Sequence, residues 1–265
     1  MEHAFSKDGT LIACARSGNG TPLILVHGAG ADHTRWAPVL PRLEQFFTVY
    51  AVDRRGRGQS GDADPYSVER EFEDLIAVIN AIDGSVDLLG HSYGGLCALG
   101  AALQTTRLRR LILYEPPVPV SGVSQPPIKS LAKLQALITV GNREKAVMTF
   151  AREVAGASDA DIEQMRASPV AWASRLAAIH TVLRELQVTS GDYAVDVSHL
   201  KTLTTPTLLL LGGDSAPHLR AEVTTLRAIL PHVSVVILPG QQHLAMNTAP
   251  ELFTSEVVRF LTALE

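Results

Sequence analysis

The stretch Leu88-Leu89-Gly90-His91-Ser92-Tyr93-Gly94-Gly95 limits what this chain can fold into more than any other. Val86 to Leu89 read as the end of a short buried strand and Leu96 to Leu103 as an apolar helix, so Ser92 falls on a strand-to-helix turn. A sharp turn that strains the serine backbone needs neighbours without Cβ atoms, and Gly90 and Gly94 stand two residues either side of it. Gly94, Gly95, Cys97, Ala98 and Gly100 make the helix small-sided, which lets it pack close to a sheet. This is the setting of a G-x-S-x-G nucleophile, with Ser92 exposed at the end of the sheet. The N–H of Tyr93, in the first turn of the helix, points the same way and gains from the positive end of the helix dipole.

A second Gly-rich turn lies upstream. Pro22-Leu23-Ile24-Leu25-Val26 has no polar alternation, as expected of a parallel strand buried on both faces, and it ends in His27-Gly28-Ala29-Gly30. Such a turn lets backbone N–H groups face an anion unobstructed, which makes the N–H of Ala29 the second oxyanion donor. The turn lacks both the G-x-G-x-x-G pattern and the lysine of a phosphate-binding loop, which argues against nucleotide binding. His27 is read as a brace for the turn.

The remaining strands and helices alternate. Phe5–Lys7 and Thr10–Arg16 read as a hairpin on Asp8-Gly9, and Asp32–Gln45 as a helix made irregular by Pro38 and Pro41. Phe47–Val52 is the next strand, followed by Asp53-Arg54-Arg55-Gly56-Arg57-Gly58, in which Asp53 and the arginines are expected to tie down a tight crossover. A helix over Ser67–Ala81 leads to the Ser92 turn, and the strand Leu108–Tyr114 stops at Glu115-Pro116-Pro117. From there the alternation ceases. Helical segments near Ile128–Val140, Arg143–Ala155, Asp159–Ala167 and Val170–Val188 follow one another with no strand between them, after a Pro-rich Val118–Pro127. Alternation resumes with strand Thr207–Leu211, helix Leu219–Leu230, strand Val233–Leu238 and helix Pro250–Leu264. The expectation is one core domain made of residues 1–115 and 205–265, with residues 116–204 inserted as a helical cap.

The chain order is therefore a serine on a tight turn, carboxylates after later strands, and His243 after the final strand, in Pro239-Gly240-Gln241-Gln242-His243. In His27-Gly28-Ala29-Gly30, Gly90-His91-Ser92-Tyr93-Gly94 and this late histidine, the chain resembles the α/β-hydrolase family over essentially its whole length. The resemblance implies a mostly parallel sheet flanked by helices, with catalytic loops at the carboxyl ends of the strands. It also offers two stations for a triad acid. Asp214 follows strand Thr207–Leu211 through Gly212-Gly213, although the family turn often carries one more residue before the acid, and that place is Ser215 here. Glu115, ending the preceding strand, is the alternative; Asp214 is favoured.

The chemistry follows from what a serine lacks. Its hydroxyl is a poor nucleophile at neutral pH, so an imidazole must take the proton and a carboxylate must hold that imidazole. Of nine histidines, His243 is the best placed; His91, adjacent to Ser92 on the turn, projects elsewhere. The expected reaction is acyl transfer from an ester or lactone of a small molecule, with Ser92, His243 and Asp214 as triad and Ala29 and Tyr93 as oxyanion donors. Carbon-carbon bond hydrolysis and cofactor-free perhydrolysis on the same triad stay open, as do lyase or cyclase chemistry and ligand reception on the same fold. A serine at the turn argues against the haloalkane dehalogenase and epoxide hydrolase members, which need a carboxylate nucleophile. Met148, Phe150, Trp172, Leu176, Ile179 and Leu183 are the candidate pocket contacts in the cap.

Composition narrows the partners. A net charge of -4 over 265 residues, with no basic tract, gives no footprint for nucleic acid or an anionic membrane. No secretory signal and no apolar run near the roughly 18 residues of a membrane span are evident, which points to a cytoplasmic protein. Cys14 and Cys97 suit small core residues, so no disulfide framework or zinc cluster is expected. No metal or organic cofactor is implied.

Overall fold

In the computed structural model, which describes residues 1–121, 129–157 and 159–263, eight strands form one sheet. In chain order they are β1 (Glu2–Phe5), β2 (Leu11–Gly18), β3 (Thr21–Val26), β4 (Phe47–Val52), β5 (Val86–His91), β6 (Leu108–Tyr114), β7 (Thr207–Gly212) and β8 (Val233–Leu238). Across the sheet the order is β1-β2-β4-β3-β5-β6-β7-β8. The β1–β2 hairpin and the β2–β4 pair are antiparallel, and every other pairing is parallel.

The order places the site. After β3 the chain turns to β4 on one side, then crosses through α2 (Val68–Asn80) to β5 on the other side of β3. Where successive connections leave in opposite directions, a crevice opens at the carboxyl ends of the strands. Val26 of β3 pairs with Gly90 of β5, and His91 with Tyr114 of β6, so the turns after these strands emerge side by side.

The inner stretches Leu23–Val26 of β3, Leu88–Leu89 of β5, Leu111–Leu113 of β6 and Leu208–Leu211 of β7 are apolar on both sides because both faces of the sheet are covered. On one face, α2 and α3 (Tyr93–Ala102) pack Phe72, Leu75 and Leu96 over Ile24, Leu88 and Leu111. On the other, α1 (Leu40–Leu43) and the carboxyl-terminal helix bring Leu43, Phe253 and Val257 onto Leu25, Leu89 and Leu208. The glycines around Ser92 serve close approach. A Cβ on Gly90 would lie 2.4 Å from the Gly94 carbonyl oxygen, and one on Gly94 would lie 2.3 Å from that of His27. It is Ser92 itself, at φ 53°, that carries the positive φ.

Between β6 and β7 the described residues form α4 (Leu131–Thr139), α5 (Arg143–Glu153), α6 (Asp159–Ala167), α7 (Pro169–Gln187) and α8 (Val197–Leu200). Leu134, Val147, Ile179 and Val182 give this helical layer a core of its own. Its entry and exit are stitched together: the Ser121 N–H donates to the Val195 carbonyl at 3.0 Å and the Val195 N–H to the Pro119 carbonyl at 2.8 Å. The chain closes with α9 (Pro217–Ile229), α10 (Ala245–Thr248) and α11 (Pro250–Thr262). The expected helix over Asp32–Gln45 is a 3₁₀ turn at His33–Trp36 followed by the short α1, as its two prolines require. Most of the Pro-rich run 118–127, Ile128 and Leu264 lie outside the described residues. No described helix is long and apolar enough to cross a membrane.

Candidate active site

Among the described residues, the non-glycine residues with positive φ are Ser92 and Glu115, at 53° and 45°. They end adjacent strands. Such conformations cost on the order of 1–3 kcal/mol each and persist where the surroundings impose them. Here the Ser92 N–H is held by the Tyr114 carbonyl at 2.9 Å and the Glu115 N–H by the Leu210 carbonyl at 3.2 Å, so the neighbouring strand grips each turn.

Glu115 is fully buried. Its Oε1 accepts from the Gly212 N–H at 2.7 Å and from the Ser215 hydroxyl at 2.5 Å. Its Oε2 lies 2.6 Å from His243 Nδ1. A carboxylate bonded on three sides stays where it is aimed, and the Nδ1 proton it receives leaves Nε2 of His243 as the basic nitrogen. The loop carrying His243 is fastened at three backbone groups. The Tyr114 hydroxyl donates to the Gln242 carbonyl and accepts the Ala245 N–H, while His91 Nε2 lies 2.9 Å from the His243 carbonyl. Since a carbonyl only accepts, His91 must carry its proton on Nε2. Burial, with His243 beside it, holds His91 well below the usual imidazole range, so it remains neutral.

The turn after β3 is equally set. His27 Nδ1 donates to the Gly28 carbonyl at 2.8 Å and its Nε2 accepts the Arg54 N–H at 3.2 Å, which fixes the turn after β3 as a neutral brace. A Cβ on Gly28 would come within 2.9 Å of Ser92 Cβ, a measure of how close this turn passes. The Ala29 N–H finds no backbone acceptor among the described residues. Tyr93 begins α3, where N–H groups have no partner within the helix.

Two cavities meet at Ser92 and His243. One of about 50 Å³ is bounded by Gly28, Ala29, Arg35, Phe150, Arg175 and Ile179. The other, about 390 Å³, runs past Tyr93, Phe150, Leu186 and Leu219. In the latter, burial together with the charge of Glu115 pushes the Glu222 carboxyl up to about 8. Asp32, His33 and Asp53 bring potential metal-ligand atoms together, but Asp53 Oδ1 is bonded to the His33 N–H and Nδ1, and Asp32 to Thr34 and Ser174.

The family follows from comparison. A model described as the alpha/beta hydrolase family matches residues 23–256. The chain belongs to that family. This alpha/beta hydrolase is 29% identical over 239 residues to an N-formylmaleamate deformylase of Pseudomonas putida, covering 86% of this chain and 83% of the relative. It is 28% identical over 248 residues to a pimeloyl-acyl-carrier-protein methyl ester esterase of Edwardsiella ictaluri, covering 90% and 92%. The solved structure of an alpha/beta hydrolase from Sphaerobacter thermophilus superposes with a TM-score of 0.84 at 36% identity, covering 98% of this chain and all of that one.

Within this hydrolase, Ser92 and His243, far apart in the chain, line the same two cavities, and of the two carboxylates considered it is the alternative, Glu115, that lies against the imidazole. Asp214 is exposed; its N–H donates to the Gln241 carbonyl at 2.8 Å, and it is Glu115 that meets His243. Ser215, one residue further on, turns its hydroxyl back onto Glu115. Of the expected cap contacts, Phe150 and Ile179 line the small cavity, whereas Trp172, Leu176 and Leu183 pack within the helical layer and Met148 lines neither cavity. The arginines after β4 do more than tie a crossover. Arg54 pairs with Glu71 of α2, and both Arg54 and Arg57 pair with buried Glu185 of α7, fastening the helical layer to the core. Tyr114, His91 and Glu185 carry no local sequence signal for these roles. Besides the family station, the hint for Glu115 is an acid that follows the apolar run Leu111–Tyr114, where a buried charge needs partners.

Proposed function

We propose that this protein is a serine hydrolase that cleaves a small-molecule carboxylic ester through an acyl-enzyme on Ser92, with Glu115 as the triad acid. The observation that carries the reading is the 2.6 Å contact between His243 Nδ1 and a buried Glu115, beside a serine held at positive φ in the same crevice. His243 Nε2 takes the Ser92 proton as the oxygen attacks the carbonyl carbon. The N–H groups of Ala29 and Tyr93 receive the oxyanion, and Glu115 steadies the imidazolium. The proton then passes to the leaving alcohol, and water activated by the same imidazole releases the acid. The protein contributes side chains and backbone groups to this cycle, and water enters as the second substrate. The helical layer acts as a cap, with Phe150 and Ile179 as its pocket contacts.

A methyl ester esterase among the relatives supports the ester reading. The relative named as an N-formylmaleamate deformylase makes a formamide the second substrate to try, on the same nucleophile. Short-chain nitrophenyl esters test the proposal: a burst of nitrophenol followed by steady turnover, both lost in Ser92→Ala, is the expected outcome. Turnover that survives Ser92→Ala, or no turnover of any ester by the intact protein, contradicts it.

A further inference from the structure

The walls of the two cavities at Ser92 differ in charge. The wide cavity carries Glu153, Glu185 and Glu222, with Lys129 and His218. The narrow one carries Arg35 and Arg175. These two, with Met165 and Leu244, also wall a further cavity of about 260 Å³ that continues away from the serine.

Arg35 belongs to the 3₁₀ turn after β3 and Arg175 to α7, so core and helical layer each contribute one guanidinium. The interior arginines Arg54, Arg55 and Arg57 all pair with carboxylates, and Arg184 pairs with Asp62. Arg35 and Arg175 form no ion pair among the described residues. Arg35 Nη1 donates to Asn247 Oδ1 at 3.2 Å, Arg175 Nη1 donates to the Gly30 carbonyl at 3.3 Å, and the Nε of each is buried without an acceptor. Asp32 shares this wall, but its Oδ1 is taken by the N–H and hydroxyl of Thr34 and its Oδ2 by the hydroxyl of Ser174. Burial, aided by the charge of Arg175, pulls Arg35 well below the usual guanidinium range, and burial lowers Arg175 as well. Both stay charged near neutrality. Asp32 stays ionised and its charge acts on both guanidiniums, so the recess keeps one net positive charge with donors unfilled, which suits one further anion.

We propose that Arg35 and Arg175 form a carboxylate-binding subsite beside Ser92, and that the substrate is a half-ester of a short dicarboxylic acid. The assignment rests on the acyl-transfer reading for its chemistry, but not for its binding. The ester carbonyl sits at Ser92 while the free carboxylate, a few carbons away, takes the forked donors of the two arginines.

The test compares monomethyl succinate with methyl levulinate, in which an acetyl group replaces the carboxylate. In the intact protein kcat/KM favours the half-ester by about tenfold or more, and Arg35→Gln or Arg175→Gln lowers that ratio by about tenfold, with Arg175→Lys recovering part of it. A ratio near one in the intact protein, or a ratio that both substitutions leave in place, overturns the subsite. Calorimetric titration of Ser92→Ala with monomethyl succinate reads binding without chemistry. Affinity that falls about tenfold when either arginine is removed supports the subsite even if no ester turns over. Absence of saturable binding, or affinity indifferent to both arginines, refutes it even if Ser92 hydrolyses nitrophenyl esters.

Discussion

The turns after β6 and β7 stand side by side at the carboxyl edge of the sheet, each carries a carboxylic acid, and each meets the loop that carries His243. The first keeps Glu115 buried at φ 45°, with Gly212, Ser215 and His243 around its two oxygens. The second spends its backbone on that same loop, through the Gly213 N–H to Leu238 and the Asp214 N–H to Gln241, and leaves the Asp214 side chain exposed. Position on the sheet is nearly equal; direction is not. A carboxylate becomes a partner for an imidazole when its backbone aims it inward and donors on the neighbouring turn hold it, and the β7 turn supplies those donors to the acid of the β6 turn. The two turns therefore form one device, with the acid on one and its support on the other.

The sharpest way to break this comparison is to neutralise each acid in turn. Glu115→Gln is expected to lower kcat for a nitrophenyl ester by about 10³–10⁴-fold, because the amide no longer stabilises the imidazolium. Ser215→Ala removes one of the donors to Glu115 and should cost roughly tenfold in kcat with little change in KM, on the scale of one charge-assisted hydrogen bond. Glu222 sharpens the comparison through stability. Its carboxyl is raised from an ordinary 4.5 to about 8 by burial and by the charge of Glu115. The native state thus keeps a proton that the unfolded chain has released, and stability falls as pH climbs through that window and levels off above it. Glu222→Gln should match the parent in thermal midpoint below the window and exceed it by several degrees at the alkaline end; a constant difference across pH would refute the coupling. The smallest effect is assigned to Asp214→Asn, within about threefold of the parent in kcat/KM. A collapse there, with near-normal turnover in Glu115→Gln, would reverse the roles of the two turns.

Much of this was readable from the chain because burial writes a long-range signal locally. Pro22–Val26, Leu88–Leu89 and Leu111–Tyr114 are apolar because helices cover both faces of the sheet, and the glycines at 90 and 94 mark a place where a helix starts directly against a strand end. The break in alternation after Glu115 likewise exposed the helical layer. The choice of acid was not readable in this way. Asp214 and Glu115 each follow an apolar strand, and what separates them is a backbone angle and a hydroxyl about a hundred residues away. Four of the six expected cap contacts fall outside the two cavities, for a related reason. Trp172, Leu176 and Leu183 have the spacing of a buried stripe, but in a layer with its own core a stripe can face neighbouring helices as well as a cavity. Arg35 and Arg175 were invisible because an unpaired charge shows only once its surroundings are in place.

The central claim is that His243, steadied by Glu115, makes Ser92 nucleophilic, and labelling by a fluorophosphonate with peptide mapping tests it most directly. One label per chain on Ser92 is the predicted result, with the rate about a thousandfold slower in His243→Ala. Label on another residue, or on Ser92 at the same rate without the imidazole, would contradict it.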